Sequence, residues 1–507
     1  MKSNYDVIVI GAGHNGLTAA NFLAQKGFGV LVLERKKELG GVAGSRHFLT
    51  NYSTEGLLGD TTRVQKDILA KLNLESDSLV WNEQTPPCLT PMKDGPGLNL
   101  YVDPVLAESE LVKISAQDAK KYKEFRKFIK RVSGPVKSFL QTVPPHFEKM
   151  TVSEKWNIFK TSVSLRLLGK KDMLELMRIP PMSVADWLDE YFESDVLKAS
   201  LALTAVSSLF AGPHSPGTAF NLLIYEVTRG VGLKGGAKSL VDVLVKKAET
   251  SGIEIAREKE VVEVLVEGSE VKGVRLASGE EIKAKRVLAS SHLKTLFLKL
   301  MKPENLSPAF ENHLNNFRHR GTTAVVNLAI KGDLQFKCRP DLKIESARIV
   351  ESMNELEKAF DAVKYKEISE DPALEVSLHP SHLAPSGHCS LSILVHYVPY
   401  ELKGGWTQEK KDQLGQKVLE KLKRYCLEFE VVGHEVLTPV DLEKEYFLEG
   451  GHLHHGEHSV DQLLVRPIPE CARYETPIRG LYLCGSGSFP GGNLTCLPGY
   501  LCSQVVS

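Results

Sequence analysis

Three glycines at the spacing G-x-G-x-x-G, in Gly11-Ala12-Gly13-His14-Asn15-Gly16, carry the first chemistry legible in this chain. Such a turn cradles a dinucleotide only when a strand precedes it and a helix follows. Both are expected: Tyr5 to Ile10 is an apolar run suited to a buried parallel strand, and Leu17-Thr18-Ala19-Ala20 opens a helical pattern. Gly11 permits the tight turn, Gly13 admits a pyrophosphate to the backbone, and Gly16 lets helix pack on strand. Ala12, His14 and Asn15 sit inside the same turn, whose phosphate would rest over the positive end of the helix. A second apolar run, Val30 to Leu33, delivers Glu34 where an acid holds ribose hydroxyls, with Arg35 beside it. The residues alone define a dinucleotide cradle.

Other candidates are weaker. His452, His454, His455 and His458 crowd one short stretch, but no cysteine or carboxylate set accompanies them, and no metal site is expected. Gly230-Val231-Gly232-Leu233-Lys234-Gly235 repeats the glycine spacing literally. The residues before it, Phe220 to Arg229, carry a helical pattern rather than a strand, so no second nucleotide site is expected there. The eight cysteines include no C-x-x-C pair, which excludes a thioredoxin-like dithiol and fits a reducing compartment.

The elements that must position these groups alternate strand and helix to about residue 80. A lysine-rich helical stretch then runs to about Phe192. Val261–Val266, Val271–Leu276 and Glu280–Ala284 predict a three-stranded antiparallel meander, and Arg286–Ser291 a separate strand re-entering the first sheet. Leu481-Tyr482-Leu483 predicts a late buried strand that stops at Cys484-Gly485 and leads to Pro490-Gly491-Gly492.

In that order, these motifs resemble the FAD-dependent phytoene desaturase and carotenoid isomerase-like oxidoreductases, relatives of the amine oxidases. Gly11 to Leu17, Gly40-Gly41, Pro213 to Gly217, Gly235-Gly236, Gly450-Gly451, His455-Gly456-Glu457 with Ser459 to Leu463, and Leu481 to Gly487 with Pro490 to Gly492 carry the likeness. It implies an α/β fold: a Rossmann-type FAD-binding domain with an antiparallel meander, plus a mixed α+β substrate or cap domain. The division it implies is 1–80, 212–300 and 446–507 for FAD, with 81–211 and 301–445 for substrate. It also implies FAD contacts at Gly40, Gly41, Val261, Gly485, Gly491 and Gly492, and an acid–base or orienting role for His455. One departure stands out, since Asn493 to Leu501 is bulkier than the small residues usual after Pro-Gly-Gly.

The expected function is FAD-dependent hydride transfer with a lipophilic or amine-bearing small molecule, passing electrons to oxygen, a quinone or a carrier protein. The alternative is a flavoprotein that has lost catalysis and serves as a binding module, motivated by the altered C-terminal stretch. Lys+Arg and Asp+Glu are both 63, so no global field selects nucleic acid as a partner. Met1 to Asn4 leads straight into the first strand, so no signal or transit peptide is expected, and with the scattered cysteines the expected location is the cytoplasm or another reducing compartment; the mitochondrion follows only by resemblance. The basic, amphipathic segment from Lys155 to Lys171 fits either a cap helix with an apolar side in the core or a membrane-surface contact.

Overall fold

A computed structural model of the chain describes residues 4–74, 79–146, 150–207 and 209–507. Residues 1–3, on which the expectation of no leader rests, lie outside the described set, as does residue 208 within the apolar run Leu197–Phe210.

Two seven-stranded sheets organise the molecule. In the first, strands Glu254–Ala256, Val30–Leu33, Asn4–Ile10, Glu281–Ala289 and Leu481–Leu483 lie side by side and parallel. Val7 to Val9 and Val30 to Leu33 are buried, as a parallel sheet covered on both faces requires. Helices His14–Gln25, Gly236–Thr250 and Leu497–Val505 pack together, the first touching both others. The strand order reverses between Asn4–Ile10 and Glu281–Ala289, and the crevice at the carboxyl ends of such neighbours is where ligands bind in open α/β sheets.

The meander is present, with Val261–Glu267 and Glu270–Leu276 antiparallel to their neighbours. Its third strand corrects the sequence reading. Glu281–Ala289 is one strand, pairing first with the meander and then with Leu481–Leu483, where two strands were expected. Its buried Ile282, Ala284, Val287 and Ala289 continue one packed edge, and no turn residue stands at Lys285 to break it.

The second sheet runs Glu430–Leu437, Thr323–Lys331, His388–His396, Ala373–Leu378, Ser346–Ile349, Cys88–Thr90, Leu98–Leu100. Helix Gln408–Tyr425 adds Leu414, Val418 and Leu422 to its core. A helical layer built on Ala116–Leu140, Asp195–Val206 and Thr218–Thr228 stands beside the sheets, with Phe125 against Trp187 at its centre. Helix Val152–Leu167 differs. It carries a Thr151–Glu154 capping box, yet none of its own residues is buried.

Candidate functional site

Each glycine of the first turn has its own physical cause. Gly11 takes φ +94°, a conformation that disfavours side chains, and a Cβ there would collide with Ser290 Oγ. A Cβ on Gly16 would collide with the Gly11 carbonyl, so that glycine is what lets the helix seat on the turn. Gly13 has an ordinary φ of −68°, and a Cβ there would meet nothing within 4 Å. The chain itself therefore gives no reason for glycine at 13. The space beside that backbone, at a helix N-terminus, is what a pyrophosphate would fill.

Around this turn the second glycine pair closes. Gly40 N–H donates to the Ala12 carbonyl at 2.9 Å, and a Cβ on Gly41 would sit 3.4 Å from Gly13 Cα. Residues distant in sequence thus form one cradle. Glu34 is buried; its carboxylate accepts N–H bonds from Ala12 and Lys36, both 2.9 Å, leaving lone pairs on both oxygens for ribose hydroxyls. Glu34 and the chain at 256–259 exchange backbone hydrogen bonds, which brings Val261 to this end of the sheet. The Val261 side chain packs into the core, so any cofactor contact it makes is through backbone. Arg35 stacks on Phe447, 3.5 Å from the ring centroid, which ties the ribose corner to the C-terminal segment.

The C-terminal glycines each have a packing cause within the chain. A Cβ on Gly485 would collide with the Ser290 carbonyl, so glycine there is required by strand-end packing. Gly491 and Gly492 have positive φ, and a Cβ on either would collide with the His458 ring. Asn15 Nδ2 donates to Ser486 Oγ at 3.0 Å, joining this region to the first helix. Leu494, Thr495, Cys496 and Leu497 are buried, and Gly499 packs on the Asn15 carbonyl, so the bulkier stretch is accommodated by burial.

The histidine tract folds into the interior. His454 and His458 stack with centroids 5.6 Å apart, and His454 Nδ1 accepts the Asn493 N–H at 3.2 Å. Burial drives the pKa of His14 down to about 4 and of His455 to about 4. His454 falls to about 3 through burial and the nearby Arg63 and Arg466 guanidiniums. These rings are neutral at pH 7. Glu457 accepts from Arg320 Nε at 2.7 Å and Asp461 from Arg318 at 2.7 Å, so these acids clasp the loop to residues 318–320. Arg466, fully buried under this loop, donates to the carbonyls of Glu457 and Gly456.

A cavity of about 670 Å³ opens over the second sheet, beside the Pro490–Gly491 turn. Pro490, Gly491, Asn493, His454 and His458 line one part, and Arg63, Tyr225, Arg229, Arg348 and Glu375 another. His455 does not line it; its ring lies instead beside His292, at 5.8 Å. The catalytic role expected of His455 therefore finds no support in the geometry, and His454 and His458 hold the position facing the cavity. The cavity lining is mixed, with arginines and carboxylates interrupting its leucines. Sequence reasoning missed Glu55, which lines the cavity against Gly236. Burial, with Glu345 adding to it against Lys238, raises its pKa to about 7, as a general base would need. Its only sequence signal is a lone acid in Ser53-Thr54-Glu55-Gly56, just before the apolar pair Leu57-Leu58.

The parallel sheet with its glycine cradle and ribose-facing acid, together with the cavity beside the C-terminal turn, defines a dinucleotide-dependent oxidoreductase fold, and the residues present fit FAD. Residues 16–495 match the flavin containing amine oxidoreductase family, and the chain belongs to it. FAD is its cofactor. Pyridine nucleotide-disulfide oxidoreductase domain-containing protein 2 of Mus musculus is 30% identical over 100% of this chain and 94% of its own length. A limonene dehydrogenase polypeptide of Castellaniella defragrans is 27% identical, covering 99% of this chain and 94% of that protein. An oxidoreductase of Methanosarcina mazei shares the fold, with a TM-score of 0.59, 16% identity and coverage of 98% and 99%. Despite the word disulfide in the first name, all eight cysteines here are free thiols, and burial raises the pKa of Cys484, Cys496 and Cys502.

Proposed function

We propose that the enzyme moves hydride between FAD and a small molecule held in the cavity beside the Pro490–Gly491 turn. The observation that carries this reading is the cavity's span, from the Pro490–Gly491 turn and the paired rings of His454 and His458 to the charged wall on the second sheet. Bound FAD supplies the hydride or electron chemistry. The protein's residues bind, orient and exclude water. In this reading residues 1–80, 212–300 and 446–507 hold the cofactor, and 81–211 and 301–445 shape the substrate's side. Gly11 to Gly16, Glu34, Gly40 and Gly41 hold the dinucleotide, and Glu55 is placed to take or return a proton. The substrate is an amine-bearing or lipophilic small molecule, and oxygen, a quinone or a carrier protein takes the electrons.

The test is anaerobic titration of the FAD-loaded protein with amines and unsaturated hydrocarbons, following the visible flavin bands. Bleaching by a substrate, with reoxidation on admitting oxygen or a quinone dye, is the expected result. A flavin that resists every candidate yet photoreduces and reoxidises freely would reject this range of substrates. A flavin that neither substrate nor dye can reach would favour a non-catalytic binding module.

A second observation favours association with a membrane surface. Trp156 and Phe159 stack at 5.5 Å and are 54% and 56% exposed, beside Leu167 at 81%. Lys155, Lys160, Arg166, Lys170 and Lys171 lie on the same stretch of chain, with Lys160 Nζ 5.4 Å from the Trp156 ring centroid. Exposed apolar groups with cations beside them suit a lipid interface. Among the described residues no helix is long and apolar enough to cross a membrane.

A further inference from the structure

Two buried guanidiniums on the cavity wall lack a carboxylate partner. Arg63 is 8% exposed, and its Nε donates to Thr228 Oγ1 at 3.0 Å. Among the described residues its terminal nitrogens make no hydrogen bond, and no acid lies within ion-pair distance. Arg348, on strand Ser346–Ile349, is 6% exposed. Among the described residues it donates to the Ser200 carbonyl at 3.3 Å and the Tyr225 hydroxyl at 3.4 Å, its Nε has no hydrogen-bond partner, and Glu375 stands opposite it across the strand pair beyond ion-pair distance. Tyr225 stands between the two, its ring centroid 5.7 Å from the Arg63 guanidinium.

The cavity lining as a whole carries five cations and five acids, but the charges nearest Tyr225 are not evenly paired. Arg229, whose guanidinium is 5.8 Å from the same ring, is paired with Glu226 at 3.6 Å, and Glu226 also binds Arg126. Glu375 lies 3.0 Å from His396 Nε2. Asp60 accepts from the Tyr225 hydroxyl at 3.0 Å and, among the described residues, has no cationic partner within ion-pair distance. Arg63, Arg126, Arg229 and Arg348 thus face Asp60, Glu226 and Glu375, one positive charge in excess. A guanidinium that faces a cavity with no carboxylate within ion-pair distance is incompletely paired, and a bound anion would complete it.

We propose that the cavity recognises a substrate carrying an oxyanion, with a carboxylate held between Arg63 and Arg348 while the oxidisable end of the molecule extends toward His454 and Gly491. The single excess charge matches a carboxylate better than a phosphate dianion. The planar fork of arginine suits either group. The inference rests on the reading that this cavity holds the substrate, and it adds the substrate's charged end.

The test uses the FAD-loaded protein with benzoate, phenyl phosphate, benzyl alcohol and benzylamine, measured by calorimetry and by perturbation of the flavin spectrum. Benzoate should bind at least about tenfold more tightly than benzyl alcohol, the scale of a charge-assisted hydrogen bond. Arg348→Met and Arg63→Met should each remove that advantage and leave benzyl alcohol unchanged. Neither variant should melt lower than the parent, because each removes an unpaired buried charge. Tighter binding of phenyl phosphate, lost in the same variants, would keep the oxyanion site and reassign its ligand. No preference for anions, or equal loss of benzoate and benzyl alcohol in the variants, would overturn the proposal. Arginine-dependent benzoate binding that leaves the flavin bands unmoved would keep the anion site but reject this cavity as the place of oxidation. Perturbation of the flavin that is independent of both arginines would do the reverse.

Discussion

At the scale of single residues, the glycine motif separates into positions the chain needs and positions a ligand needs. Gly11 and Gly16 are fixed by contacts with Ser290 and with each other, whereas Gly13 meets nothing. Gly16→Ala should therefore destabilise the protein with or without cofactor, by roughly 1–3 kcal/mol as overpacked sites do. Gly13→Ala should leave the melting temperature of the cofactor-free protein within about a degree while weakening FAD, because its methyl enters only the space reserved for phosphate. Melting curves at rising FAD concentration measure both terms at once, since a ligand raises stability by mass action. A large loss of apo stability in Gly13→Ala would remove the distinction and the assignment of that space. The spacing alone places all three glycines in one motif. It does not say which of them answers to packing.

At the scale of elements, legibility follows the period of burial. The strand Asn4–Ile10 and the helix His14–Gln25 are readable because runs of buried valine and isoleucine, then helical spacing, leave no competing reading. The strand Glu281–Ala289 reads as two because its first half alternates and its second half is apolar throughout. Only the sheet reveals that the halves have different neighbours. Helix Val152–Leu167 is a converse case. Its sequence allows a core-facing side, and the fold buries none of it. Replacing Trp156 and Phe159 together by Ser should then leave the melting temperature nearly unchanged, since exposed positions contribute within about 0.5 kcal/mol. The same pair should lower co-sedimentation with vesicles containing anionic lipid several-fold. A drop of many degrees would mean that these rings pack on something in the folded chain, and equal co-sedimentation would remove the membrane contact.

At the scale of the whole molecule, the groups that converge come from positions no local pattern connects. Arg63, Tyr225 and Arg348 meet on one wall, and His14, His292, His454, His455 and His458 gather beneath the C-terminal turn. Sequence spacing reports neighbours along the chain, and these contacts depend on how the sheets are stacked. The gathered histidines have a consequence for acid stability. His14, His379 and His455 are lowered to about 4 and His454 to about 3, with burial the first cause in each. His292 and His458 are also lowered, for the same reason. A ring whose folded pKa lies below its unfolded value near 6.5 favours the native state above 6.5. That advantage is lost as pH falls toward 4, because the unfolded chain takes the proton first. One shift of this size corresponds to roughly 3 kcal/mol, and the total stability of a domain is only about 5–15 kcal/mol. Glu55 acts with the opposite sign, its raised pKa favouring the folded state at low pH and losing that effect between about 4.5 and 7, but it is one group against six. The melting temperature should therefore be flat above about pH 6.5 and fall steeply between about 6 and 4. FAD should be released in the same transition, since His454 holds the Asn493 backbone beside the cavity. Flavin fluorescence and circular dichroism recorded together against pH provide the measurement. A melting temperature that holds steady down to about pH 4.5 would mean that the rings take protons without leaving the fold, and that water reaches them.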